Sequence, residues 1–235
     1  LEKYVKQIRP DIFHIEEEHY SVVTYQAIKL ARKYNIKCLF VTWQNIYKNY
    51  PFPFSRIEQY NLENANYAIA GSNEIRKVLV RKGFDNKRIS MIPLGVDTKM
   101  FHKMESTELR SKLQLEFFTI GYLGRFVKEK GVMDLLDAVS LIDNDFNLLL
   151  VGSGKIRQII KEEGKRLGIL NKIKIVDSVS SSQVPSYLNC MDCLVLPSRT
   201  TRNWKEQFGR VLTDAMSCEV PVLGSDSGEI PNVIG

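Results

Sequence analysis

An α/β fold built on parallel sheets is predicted by three observations. From residue 119 to residue 226, short apolar runs alternate strictly with amphipathic stretches, and such alternation implies a parallel sheet covered by helices on both faces. The run CLFVTW (residues 38–43) is almost continuously apolar, the pattern of a buried parallel strand. With 44% hydrophobic and 26% charged residues in 235, the composition is that of an ordinary globular chain with material for one or two cores.

In chain order, PDIFHIEEE (10–18) reads as a strand ending in acids, followed by a helix over 21–34 with apolar residues at helical spacing. CLFVTW is the next strand, and NIYKNYPFPFS (45–55) is a loop rich in aromatics and proline. ANYAIAGS (65–72) gives another strand, after which Ser72 caps a helix that Gly83 ends. RISMIPL (88–94) closes the first half, and composition shifts through a charged segment that runs to Glu116. A domain boundary is therefore expected near Lys103, separating residues 1–103 from 104–235. The second half then carries strands at 119–124, 147–153, 173–178, 193–198 and 220–226, with helices between them. It is a Rossmann-like lobe, whose ligands collect beyond the carboxyl ends of the strands.

Chemistry concentrates in that half. WKEQFGRVLTDAM (204–216) is expected to be a loop and a helix starting near Gln207, with Glu206 and Asp214 eight residues apart, about 12 Å along a helix axis. Between them, free amides near Phe208 and Gly209 at a positive helix end suit a diphosphate, and a carboxylate on either side suits hydroxyl groups. The pattern describes a nucleotide sugar. GRFVKEKG (124–131) adds a glycine permitting close backbone approach at Gly124, with Arg125 and Lys130 placed to converge on an anion. GSGK (152–155) is neither a P-loop nor a dinucleotide fingerprint, because Leu149, Ile156 and Arg157 stand at the deciding positions. Gly152 and Ser153 are read instead as a tight strand-to-helix turn lining the donor cleft. The polar loop around Val179 offers backbone groups to a nucleobase.

E-x-F-G with a following acid, then AMSCEVPV and GEIPNVI (228–234), resembles the E-x7-E signature of the glycogen-synthase and phosphatidylinositol-mannosyltransferase-like family of retaining GT-B glycosyltransferases, the glycosyl transferases group 1. IPLGVD followed by Phe101 resembles the same family's crossing between lobes. The sequence departs from the pattern at Asp214, where the family usually has Glu, and at Gln44, which aligns with a family His beside the donor sugar. The resemblance implies two Rossmann-like lobes. The first would be incomplete, since the family's opening strand and glycine-rich loop would precede Leu1, and the second would lack its final helices, which would follow Gly235. An incomplete lobe is expected to expose sheet edge and apolar surface. It further implies metal-independent transfer from a nucleoside-diphosphate sugar, with Arg125, Lys130 and Glu206 in the catalytic machinery. Asp214 would take the ribose, and Gln44 a sugar or acceptor contact. No protein nucleophile is implied, because the leaving phosphate helps to deprotonate the acceptor, and no cofactor is expected. A non-catalytic nucleotide-sugar module and a nucleotide-sugar epimerase of the same fold are the alternatives.

Other classes fit less well. A net charge of +6 favours anionic partners, but the charge is dispersed and no nucleic-acid motif is present, so nucleic acid is not an expected partner. The acceptor is a sugar, glycan or lipid-linked hydroxyl, and the basic charge with the aromatic 47–54 loop admits peripheral contact with a membrane. Four cysteines in apolar contexts do not make a disulfide framework, and a reduced, cytoplasmic setting is expected. Asp143 and Asp145 imitate the D-x-D metal site of other glycosyltransferases but fall at a helix-to-strand turn on the rim opposite the cleft. No metal site is expected.

Overall fold

The computed structural model describes residues 1–235 and divides them into two compact units, Leu1–Leu94 and Gly95–Gly235. No helix is long and apolar enough to cross a membrane.

The first unit runs α1 (Glu2–Ile8), β1 (Ile12–Ile15), α2 (Val22–Lys33), β2 (Lys37–Thr42), α3 (Phe54–Asn64), β3 (Tyr67–Ala70), α4 (Asn73–Arg81) and β4 (Ile89–Met91). Its four strands are parallel and stand in chain order, β1-β2-β3-β4. Side chains alternate between faces, and Ile15, Cys38, Phe40, Ala68, Ala70 and Ile89 form one core with Ile28, Ala31, Leu62, Ile75 and Leu79 of the helices. Ser72 caps α4 as the sequence suggests, its Oγ accepting from the Ile75 amide at 3.4 Å. Strand β1 is an open edge, and Leu1, Tyr4, Ile8 and Ile12 beside it are exposed.

The second unit contains α5 (Thr107–Leu113), β5 (Phe118–Leu123), α6 (Val132–Val139), β6 (Phe146–Val151), α7 (Arg157–Arg166), β7 (Ile173–Val176), α8 (Val184–Leu188), β8 (Cys193–Leu196), α9 (Arg210–Ser217), β9 (Val222–Gly224) and α10 (Ile230–Ile234). All its strands are parallel, in the order β7-β6-β5-β8-β9. Strand β6 is buried along its whole length. Leu148 and Leu150 point into a core with Leu135, Leu136 and Ile160, whereas Leu149 and Val151 point into another with Leu188, Leu194 and Leu212. Each such leucine contributes about 1.5–3 kcal/mol by leaving water. The sheet is doubly wound, and its order reverses between β5 and β8.

The segment after Leu94 belongs to the second unit, whereas composition placed the boundary near Lys103. Phe101 is buried in the second unit's core, its carbonyl accepts from Ser217 Oγ at 2.5 Å, and Asn189 Nδ2 donates to the carbonyl of His102 at 3.0 Å. A charged stretch of sequence marks variability, but packing decides where a unit ends.

Candidate functional site

The loops after β5 and β8 meet at the point where the strand order reverses. They are fitted backbone to backbone. A Cβ on Gly131 would lie 1.8 Å from the carbonyl oxygen of Pro197, and Gly131 has φ 68°, so only glycine serves. The Arg199 amide donates to the Glu129 carbonyl at 2.8 Å. This crossing carries Lys130 to Glu206: Nζ to Oε2 is 2.6 Å. Ser198 Oγ donates to the same Oε2 at 2.7 Å, and Lys130 Nζ also stands 5.4 Å from the Trp204 ring centroid. Glu206 is 7% exposed, so its charge is held by the lysine and hydroxyl rather than by bulk water.

From the next turn, Ser227 Oγ accepts from the Glu206 amide at 3.4 Å, and the Glu229 amide donates to the Glu206 carbonyl at 3.2 Å. A Cβ on Gly228 would fall 1.9 Å from that carbonyl oxygen. These bonds keep residues 204–209 irregular, and helix α9 begins at Arg210 instead of near Gln207. Gly209, at φ 83°, sets the turn into it and receives no side-chain cap. Glu206 therefore lies outside the helix, and the expected 12 Å axial spacing to Asp214 does not apply. Phe208 is buried, which anchors the loop while leaving its backbone to serve the rim.

Asp214 is in α9, 7% exposed, with Oδ1 buried and lacking a hydrogen-bond partner. Burial raises its carboxyl above the ordinary value, a shift the Arg210 guanidinium 3.8 Å away only partly offsets. Arg125 is exposed on the β5 loop; its carbonyl accepts from the Tyr122 hydroxyl at 2.8 Å. Lys130 is thus committed to Glu206 in this structure, and Arg125 reaches into solvent. Gly124 and Gly152 bring two turns into contact: a Cβ on Gly152 would stand 1.9 Å from the Gly124 carbonyl oxygen. The second glycine of the GSGK turn, Gly154, answers to another neighbour, since its Cβ would lie 2.2 Å from the Phe126 carbonyl oxygen. Ser153 Oγ lies 2.7 Å from Ser178 Oγ, while half-buried Val179 packs against the core between α8 and α9.

Gln44 belongs to the first unit and follows β2. It is 8% exposed, donates from Nε2 to the Ile46 carbonyl at 3.0 Å and rests against the Tyr50 side chain. Glu18 braces the strand end, accepting from Thr42 Oγ1 at 2.5 Å and the Trp43 amide at 2.9 Å. From the sequence, Glu18, Ser198, Trp204 and Ser227 were given no site role. Their signal was positional: Ser198 ends a β-run, and Ser227 precedes GEIPNVI. Asp143 and Asp145 lie between α6 and β6, at the amino ends of the strands, and Lys172 Nζ is 3.8 Å from Asp145.

Two family models match the chain, glycosyl transferases group 1 over residues 105–235 and glycosyltransferase family 4 over residues 1–100. TuaC of Bacillus subtilis, a protein assigned to teichuronic acid biosynthesis, is 26% identical over 196 residues, covering 81% of this chain and 46% of TuaC. The N-acetyl-alpha-D-glucosaminyl L-malate synthase of Bacillus anthracis is 32% identical over 63% of this chain and 38% of its own length. Among solved structures, HepE of Anabaena in complex with UDP superposes with a TM-score of 0.85 at 20% identity, over 99% of this chain and 65% of HepE. The chain spans less than half the length of these two curated relatives. Its fold is that of GT-B glycosyltransferases, in two Rossmann-like units with parallel sheets. With the match over residues 105–235 taking in more than half of the chain, the protein belongs to the glycosyl transferases group 1 family.

Proposed function

We propose that the chain is the donor-binding part of a glycosyltransferase that moves a glycosyl group from a nucleoside-diphosphate sugar to an acceptor hydroxyl, with retention and without a metal ion. The observation that carries this reading is the meeting of Lys130 and Glu206 at the reversal of the strand order, where ligands of doubly wound sheets bind. The barrier to transfer is the departing diphosphate and the positive character gained by the sugar. Arg125, Lys130 and the amides near Phe208 and Gly209 meet the leaving charge, and preorganised electrostatics of this kind is usually the largest catalytic contribution. In the free chain Lys130 is neutralised by Glu206. When the diphosphate engages the ammonium, the Glu206 carboxylate is released to hold sugar hydroxyls and the anomeric centre. Asp214 Oδ1, buried and unpartnered, takes a ribose hydroxyl as its missing donor. Gly124, Gly152, Ser153 and Val179 supply the backbone of the donor pocket, and Gln44 a sugar or acceptor contact. The acceptor is a hydroxyl of a sugar, glycan or lipid-linked carrier.

Thermal denaturation of the chain with UDP, GDP and ADP, each alone and as common nucleotide sugars, tests the reading. UDP heads the panel because HepE is seen with UDP. At a hundredfold excess over Kd a ligand adds about 2.7 kcal/mol, several degrees in a chain of this size. A shift with one base that Arg125→Ala and Lys130→Ala abolish is the expected result. No shift with any nucleotide overturns donor binding. Identification of the sugar product then separates transfer from epimerisation.

A further inference from the structure

After Ser198 the loop between β8 and α9 runs through five exposed residues, Arg199 to Asn203, before Trp204 turns back from solvent and is half-buried. None of the five joins a core, yet the stretch is bonded along its length. The Thr201 amide donates to the Trp204 carbonyl at 2.7 Å, and Thr201 Oγ1 accepts from the Trp204 amide at 3.1 Å. Thr200 Oγ1 donates to Ser227 Oγ at 3.0 Å, the same hydroxyl that receives the Glu206 amide. At the other end the Arg199 guanidinium forks onto the Asp134 carboxylate of α6. A loop that buries nothing of its own and is tied at both ends fixes the place of one side chain, the Trp204 indole.

That indole meets Lys130. Nζ stands 5.4 Å from the ring centroid and 2.6 Å from Glu206 Oε2, and the lysine side chain is 17% exposed. One loop therefore delivers both partners of the ammonium, two residues apart, and they hold it in different ways. The carboxylate takes an N–H in a charged hydrogen bond. The indole face attracts the cation through its quadrupole, within the roughly 6 Å over which that attraction acts, and at this distance it occupies none of the three N–H donors. The residue type matters for that reason. A second carboxylate at position 204 would compete with an anionic ligand for the lysine. An aliphatic side chain would leave the ammonium facing no negative charge once Glu206 turned away, on a flexible four-carbon stem free to swing.

We propose that Trp204 is a positioning residue for Lys130, keeping its ammonium aimed at the rim while Glu206 is exchanged for a diphosphate. The role rests on the donor reading above. In the free chain the lysine is held by carboxylate and ring together. When the diphosphate takes the N–H donors, the ring stays as the second support, so the lysine changes its hydrogen-bond partner without changing its place. Ordering of the long side chain is then already complete before the ligand arrives.

The test is titration calorimetry of the parent chain, Trp204→Phe and Trp204→Leu with UDP, GDP and ADP. For the nucleotide that the parent binds most tightly, the leucine variant should bind about five-fold more weakly or worse, and the phenylalanine variant within about two-fold of the parent, because a second aromatic face restores the attraction. Thermal midpoints of the two free variants should agree within about 2 °C, which separates the affinity gap from a loss of fold. Equal affinities for the phenylalanine and leucine variants overturn the proposal alone, whether both match the parent or both fall. Binding of none of the three nucleotides by the parent overturns the donor reading and this role with it. A second measurement needs no ligand. The chain has two tryptophans, so Trp43→Phe leaves Trp204 as the emitting residue, and adding Lys130→Met should alter its fluorescence in the free chain. Unchanged emission would show that the ammonium does not lie over the ring, and the proposal would fall.

Discussion

Each unit holds one largely buried lysine–glutamate pair, each with an aromatic ring beside the lysine and a further polar group on the carboxylate, and the two differ in what surrounds them. In the first unit Lys82 Nζ lies 2.7 Å from Glu58 Oε1, and His19 Nε2 stands 3.1 Å from the same carboxylate. The lysine has a second acceptor in the Lys48 carbonyl and lies near the Tyr47 and Tyr50 rings. His19 is itself held by Thr42 Oγ1 at 3.1 Å. In the second unit Lys130 and Glu206 are 2.6 Å apart, but they sit at the mouth of a sheet whose order reverses, with an exposed Arg125 on the same loop and an unpartnered carboxylate oxygen on Asp214 in the helix that follows. A pair whose polar partners are supplied from within fastens structure. A pair set among groups still open to a ligand is equipped for exchange.

The sharpest way to break this contrast is to remove one partner from each. Glu58→Ala leaves Lys82 charged in a buried site and should cost about 3–5 kcal/mol, read as a lower denaturant midpoint. Glu58→Leu combined with Lys82→Met should recover most of it. Lys130→Met should lower turnover by about a hundredfold or more, with a smaller loss of stability because Ser198 still bonds Glu206. Equal destabilisation by the Glu58 and Lys130 substitutions, with turnover unaffected by the latter, would collapse the distinction.

The two carboxylates with shifted acidity give effects of opposite sign. Burial alone would raise Glu58, but His19 and Lys82 outweigh it and hold the carboxyl below its ordinary value of 4.5. Its contribution to stability is therefore complete above pH 4.5 and is lost as pH falls below that value. Thermal midpoints measured down the acid range should fall less steeply for Glu58→Gln than for the parent chain, starting from a lower plateau. Asp214 is raised above its ordinary 3.8, chiefly by burial. Folding takes up a proton there, so its contribution declines as pH rises above 3.8. The smallest effect follows: Asp214→Asn should raise the midpoint of the free chain by roughly 1–3 °C at neutral pH. The same variant should weaken nucleotide binding roughly ten-fold, the range for one lost charged hydrogen bond. Calorimetry of the pair of variants checks both signs.

Alternation in the second half was enough to read every strand of its sheet, because β6 and its neighbours bury Leu, Ile and Val at strand length. Helix α3 escaped notice for a physical reason. Two of its three buried residues are polar, Glu58 and Asn61, and Asn61 earns its place by donating to the His19 and Ser21 carbonyls. Apolar periodicity cannot see a face made of such contacts. Helix α5 has no buried residue at all, so its charged sequence looked like a linker. At the site, the residue types of Lys130 and Glu206 were legible, but their meeting was not. They are 76 positions apart, and only the β5–β8 adjacency brings them together. The start of α9 was misplaced because Gly209 was read as part of the helix, whereas its left-handed backbone forms the turn before it.

The glycine contacts at the rim have a further consequence for how such a protein can change over time. Gly131 abuts Pro197, Gly152 abuts Gly124, and Gly228 abuts Glu206, each through main-chain oxygen. The loops after β5, β6, β8 and β9 are thus positioned by main chain touching main chain, and few of their side chains are needed to keep the path. Exposed positions beside those contacts, such as Lys128 and Ser153, are free to be exchanged without redrawing the loops. On the proposed donor reading, a lineage can therefore retune which base or sugar the rim meets by single substitutions. Any substitution at the three crossings would shift the frame of the loops itself.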